Sequence, residues 1–144
     1  MVTAKPLLDR AEQVLYARLV RAFPGHIVLA QVALAQLLEV DQAAATSGVK
    51  AANRFRPNQL SRWVADFVVC RPDFTALAVI ELDTAVPRNQ QRDASDVKDQ
   101  LLQVAGIKVV RVAANDIPQE AALKVLVATL PLNRSTPRLI RHAS

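Results

Sequence analysis

Cysteine is almost missing from this 144-residue chain: Cys70 is the only one. A single thiol excludes an internal disulfide framework and points to a reducing compartment, with the cytoplasm as the expected location. Aromatic residues make up 4%, so Leu, Val, Ile and Ala must fill the core. The three glycines are isolated from one another, which excludes a glycine-rich phosphate loop and the doubly wound fold that would carry it. His26 and His142 are too far apart for zinc-ligand spacing. No serine stands in a nucleophile-elbow pattern, and Cys70 has no nearby histidine to activate it, so a small buried apolar role is expected there. No apolar run is long enough to span a bilayer, and residues 1–6 contain no signal-peptide core. No membrane association is expected.

Apolar residues are plentiful, at 51%, enough for a single domain with a continuous core. The net charge is +5 and the pI is near 10.0, which favours an anionic partner. Spacing predicts an amphipathic helix over 7–23, with Leu8, Ala11, Leu15, Leu19 and Ala22 on one face, stopped by Pro24-Gly25. A strand is expected over 27–32, whereas 33–40 fits either its continuation or a short helix. A loop over 41–49 and a basic connector over 53–62 follow. Two apolar strands, 64–70 and 77–83, flank the turn Arg71-Pro72-Asp73-Phe74 and read as an antiparallel hairpin. After a polar loop over 84–91 come a helix over 92–105 closed by Gly106, a strand over 107–112 and a last helix from Pro118 to about residue 130. The order of helix, strand, two-stranded hairpin, helix, strand and helix implies one α/β sandwich domain over 1–130. Residues 131–144, with Arg134, Arg138, Arg141 and no acid, read as a flexible basic tail.

Three acids interrupt the apolar strands: Asp66, Glu81 and Asp83. A carboxylate inside such a strand is costly to bury unless it is paired or metal-bound. Strand side chains alternate, so Glu81 and Asp83 share a face, and hairpin pairing brings Asp66 toward them. Three hard oxygen ligands suit Mg²⁺ or Mn²⁺; the plainer alternative is solvated acids at strand ends, or acids paired with arginines. Lys98 flanks the apolar face of the following helix, where it can hold a phosphate oxygen, orient a water or simply snorkel. Glu12, on the shoulder of the first helix, is a further candidate ligand or a helix-surface ion-pair partner. Arg54, Arg56, Arg62, Arg88 and Arg92 bracket the acidic strands as a phosphate-gripping rim would, or form a solvated surface. Trp63 fits the core better than a base-stacking platform.

The ordered set resembles the PD-(D/E)XK, or restriction-endonuclease-like, nuclease superfamily. It comprises Val64-Ala-Asp66-Phe-Val-Val-Cys70, then Ala78-Val-Ile-Glu81-Leu-Asp83, then Arg92-Asp93 through Lys98-Asp99 to Ala105-Gly106-Ile107, then Val109-Val-Arg111-Val112, with Lys5-Pro6-Leu7-Leu8, Glu12 and Ala30-Gln31-Val32 upstream. More closely, the chain looks like a bacterial domain of unknown function related to the very-short-patch-repair endonucleases. The likeness runs over residues 5–130. It implies a restriction-endonuclease-like α/β fold, a central mixed sheet flanked by helices, and Mg²⁺- or Mn²⁺-dependent hydrolysis of phosphodiester bonds, with DNA as the partner. Asp66 matches the first acid, Glu81 the second, and Asp83 stands where many members carry lysine. Lys98 then takes the displaced lysine's part, and Glu12 matches the first-helix acid of many members. One departure concerns the segment after Asp83: Thr84-Ala-Val-Pro87-Arg88 holds no histidine, where the closer branch often has one. The alternative is a non-catalytic nucleic-acid-binding or protein-interaction domain that kept the nuclease fold.

Overall fold

The structure, a computed structural model, describes residues 1–40, 59–84 and 89–129, with side chains in the third helix described from residue 96 onward. The loop expected over 41–49, the connector as far as residue 58 and the basic tail lie outside the described residues. The elements run α1 (Arg10–Ala22), β1 (Ile27–Ala33), α2 (Leu34–Leu37), β2 (Val64–Cys70), β3 (Ala76–Asp83), α3 (Asn89–Val104), β4 (Lys108–Ala113) and α4 (Glu120–Thr129). This is an α/β architecture with a four-stranded mixed sheet in the order β1-β2-β3-β4. β1–β2 and β2–β3 pair antiparallel, and β3–β4 pair parallel across the α3 connection.

Local chemistry sets the element ends. Asp9 caps α1 through a reciprocal box: its carboxylate accepts from Glu12 N–H and the Glu12 carboxylate accepts from Asp9 N–H, both at 2.9 Å. Gly106, at φ 80°, ends α3. There Ile107 N–H reaches Leu102 O and Gly106 N–H reaches Gln103 O, the paired bonds of a left-handed helix stop that glycine adopts without a Cβ clash. The undecided segment 33–40 resolves into the last residue of β1 and the single turn α2, followed by extended backbone at Leu38. α3 begins three residues before the spacing indicates, so the loop expected over 84–91 is shorter.

Both faces of the sheet are covered, which is why β2 and β3 read as nearly unbroken apolar runs. On one face α1 and α4 bury Leu15, Leu19, Leu123 and Val127 against Phe67, Val69, Ile80, Val110 and Val112. On the other, α2 and α3 bury Leu34, Val97, Leu101 and Leu102 against Val68, Cys70 and Val79. Trp63 packs, half-buried, at the edge of this second cluster. Cys70 is buried within it, and burial pushes its thiol pKa up, as befits an apolar filler and not a nucleophile. No helix among the described residues is long and apolar enough to cross a membrane.

Candidate functional site

The site begins where the hairpin opens. β2 and β3 stay paired as far as Phe67↔Ile80, and one further step of that register sets Asp66 against Glu81. Ladder bonds are replaced there by side chains. Asp66 N–H donates to Glu81 Oε2 at 3.2 Å, and Leu82 N–H donates to Asp66 Oδ2 at 2.8 Å. β3 meanwhile continues to pair with β4 as far as Asp83↔Ala113. A fork therefore forms between β2 and β3 with two carboxylates in its crotch, on the sheet face that α3 covers.

Glu81 is the one buried charged residue among the described residues, at 4% exposure. Its counter-charge is the Lys98 ammonium, which ion-pairs with Oε1 and also donates to Val64 O at 2.8 Å. Lys98 thus ties α3 to the start of β2 and to the fork at once. Oε1 is buried, and its contact with the Lys98 ammonium compensates for that burial. Burial pushes the Glu81 carboxyl from its ordinary 4.5 up to about 7; the Lys98 ammonium opposes that rise and neighbouring Asp66 adds to it.

Asp83 shares the face with Glu81 but turns to a different partner. Arg111 of β4 donates to Asp83 Oδ1 at 2.9 Å and, with Nε and the second terminal nitrogen, to both oxygens of Asp99 at 3.0–3.2 Å. Burial lowers the Arg111 pKa, but its two carboxylates outweigh that and raise it overall; Asp99 is itself raised by burial against the pull of Arg111. Two adjoining units result, Asp66–Glu81–Lys98 and Asp83–Arg111–Asp99.

Glu12 lies on α1, the helix that covers the opposite sheet face. Its carboxylate closes the α1 capping box and accepts from Gln31 Nε2 at 2.8 Å. Gln31 has φ 56°, an uncommon backbone for a side-chain-bearing residue. It occupies the β1 position that faces Asp66, between the pairs Ala30↔Phe67 and Val32↔Ala65. Arg62 is exposed just before β2. Arg54, Arg56 and Arg88 lie outside the described residues, as does the side chain of Arg92. His26 is exposed and packs edge-on against Phe23, away from the fork.

Asp99 and Arg111 were not singled out from the sequence, although Arg111 interrupts an apolar strand just as Asp66 does. Among the described residues no group of three or more His, Cys, Asp or Glu side chains is arranged to hold a metal ion. The Asp66–Glu81 pair meets the smaller demand of Mg²⁺, which takes one or two carboxylates and keeps several waters. Glu81 Oε1 is the donor atom of that pair which the Lys98 ammonium holds, so a metal there would take the place of Lys98 on it. No match was found among curated proteins or among solved structures. Residues 4–129, most of the chain, match the family described as protein of unknown function (DUF2726), and the chain belongs to that family.

Proposed function

We propose that this chain is a nuclease-like domain of the PD-(D/E)XK superfamily that hydrolyses phosphodiester bonds of DNA with a divalent metal ion. The observation that carries the proposal is the meeting of Asp66 and Glu81 in the β2–β3 fork, with the Lys98 ammonium on Glu81. Asp66 and Glu81 would hold Mg²⁺ or Mn²⁺ there, and the metal would supply Lewis-acid polarisation of the phosphate and a more acidic water. Asp66 is oriented by Leu82 N–H and Glu81 by Asp66 N–H, so both carboxylates are preset by backbone donors. Lys98, anchored on Val64 O, would hold a phosphate oxygen or the attacking water once Glu81 turns to the metal. Glu12 and Gln31 would support the fork from the β1 side. Arg62, with Arg54, Arg56, Arg88 and Arg92, would grip the backbone phosphates.

Nicking of supercoiled plasmid in Mg²⁺ or Mn²⁺ tests the proposal. Wild-type protein should cut, and Asp66→Ala and Glu81→Ala should each cut on the order of a hundredfold more slowly. Absence of cleavage by wild type, or undiminished cleavage by both variants, sinks it.

A second reading has its own support. Each carboxylate of the cluster already has a partner: Asp66 has Leu82 N–H, Glu81 has Lys98, and Asp83 and Asp99 have Arg111. A self-satisfied network of this kind suits a nucleic-acid-binding module without catalysis. That module would bind duplex in a salt-sensitive way, without cutting it and without regard to Asp66→Ala.

A further inference from the structure

The acids on the covered sheet face are sorted between two cations, and the sorting has a chemical consequence. Glu81 and Asp83 are two residues apart on one face of β3, close enough for both to serve one ion. Arg111 stands opposite Glu81 in the parallel β3–β4 register. It passes Glu81 over and clasps Asp83 at 2.9 Å with one terminal nitrogen. Its other donors hold Asp99, the residue next to Lys98 on α3. The guanidinium fork therefore fixes Asp83 from one side while being fixed from the other, and a planar, bidentate contact of this type resists rearrangement more than a lysine contact would.

We propose that Arg111 sets the ligand count of the divalent-ion site at two carboxylates, Asp66 and Glu81, by holding Asp83 out of it. This rests on the metal-binding role proposed above for the Asp66–Glu81 pair. Affinity at an oxygen site rises with the number and charge of its ligands. A site limited to two carboxylates leaves the ion most of its waters and an exchangeable coordination shell. Releasing Asp83 would convert it to a tighter site with three carboxylates.

Mn²⁺ alone is the probe, titrated into the full chain and followed by loss of the free-ion EPR signal. Asp66→Asn and Glu81→Gln should each weaken uptake at least about tenfold, whereas Asp83→Asn should change it by less than about threefold. Arg111→Gln should tighten uptake by about fivefold or more, and the gain should vanish in the Arg111→Gln/Asp83→Asn double variant. Measured against the Asp83→Asn single variant, that last comparison separates release of Asp83 from simple removal of a positive charge, since a charge effect would survive there, whereas against wild type the two lost charges cancel. Should Arg111→Gln fail to fold, Asp83→Asn decides by itself, because its side chain is half exposed and its loss leaves the core intact. Weakening by Asp83→Asn equal to that of Asp66→Asn, no gain from Arg111→Gln, or a gain that persists in the double variant overturns the role of Arg111 alone. Wild-type protein that takes up no Mn²⁺, or uptake indifferent to Asp66 and Glu81, overturns the underlying site as well.

Discussion

Glu81 is the residue on which stability and proposed chemistry meet. Its carboxyl is raised from 4.5 to about 7, chiefly by burial, so the folded state binds its proton more tightly than the unfolded chain does. The stabilising effect of that proton is complete below about pH 4.5 and is lost as pH rises toward 7. Relative to Glu81→Gln, which cannot titrate, wild-type stability should fall by about 3 kcal/mol between pH 4.5 and pH 7.5. Urea unfolding at a series of pH values measures this; parallel profiles for the two proteins would contradict it. Lys98 supplies the counter-charge, so Lys98→Met should destabilise by about 3 kcal/mol at pH 8, where Glu81 is ionised, and by much less at pH 5. Asp66, Glu81 and Lys98 could be read from the sequence because a charge placed among apolar neighbours has few inexpensive explanations. Arg111 broke its strand in the same way, but its partners come from β3 and α3, and only the parallel β3–β4 register brings them together. Glu12 was legible as a special acid, but not in its local role, because a capping box and a ligand position look alike until the helix start is known.

The hairpin that carries Asp66 and Glu81 is closed by an element whose own geometry is imperfect. Phe74 N–H donates to Arg71 O and Arg71 N–H donates to Thr75 O. The loop therefore has three residues, with a left-handed position at its end. That position is Phe74, at φ 67°, with the residue 64% exposed. A phenylalanine gains little packing there and bears the steric cost of a left-handed backbone, about 1 kcal/mol. Asp73 offsets some of this by accepting from both the N–H and the hydroxyl of Thr75, at 3.0 and 2.6 Å. Phe74→Gly should accordingly stabilise the protein by about 0.5–1 kcal/mol. Thermal unfolding checks it, and a lower midpoint in the variant would contradict it. Pro72-Asp73 marked the turn in the sequence, whereas its type did not show, because the glycine that usually announces a left-handed position is missing. The other elements were legible where period and punctuation agreed, as in α1 with Pro24-Gly25 behind it and α3 with Gly106. They were not legible where a short apolar run suits strand and helix equally. Tertiary contacts settle that case at residues 34–37, where Leu34 N–H and Ala35 N–H donate to Trp63 O and Leu60 O.

For the molecule as a whole the governing quantity is charge. Eighteen lysines and arginines against thirteen acids leave +5, and four of those acids, Asp66, Glu81, Asp83 and Asp99, are engaged by internal partners around the fork. Setting those four acids and their cations Lys98 and Arg111 aside leaves sixteen basic residues against nine acids. If Arg54, Arg56, Arg62, Arg88 and Arg92 each neutralise one phosphate of a duplex, log K should fall linearly with log salt at a slope of about −4 to −5. Each Arg→Ala substitution among them should flatten that slope by about 0.9. Asp66→Asn should leave it unchanged, because an acid neutralises no phosphate. Fluorescence anisotropy of a labelled duplex across roughly 50–300 mM salt, about a sixfold range around physiological strength, reads all three quantities in one series. A slope near zero would remove nucleic acid as the partner whatever the fork does. A steep slope that ignores the arginines would move the phosphate contacts to another basic surface. A steep slope that follows them, measured on a chain whose cleavage depends on Asp66, would join the charge of the whole molecule to the two carboxylates held where β2 leaves β3.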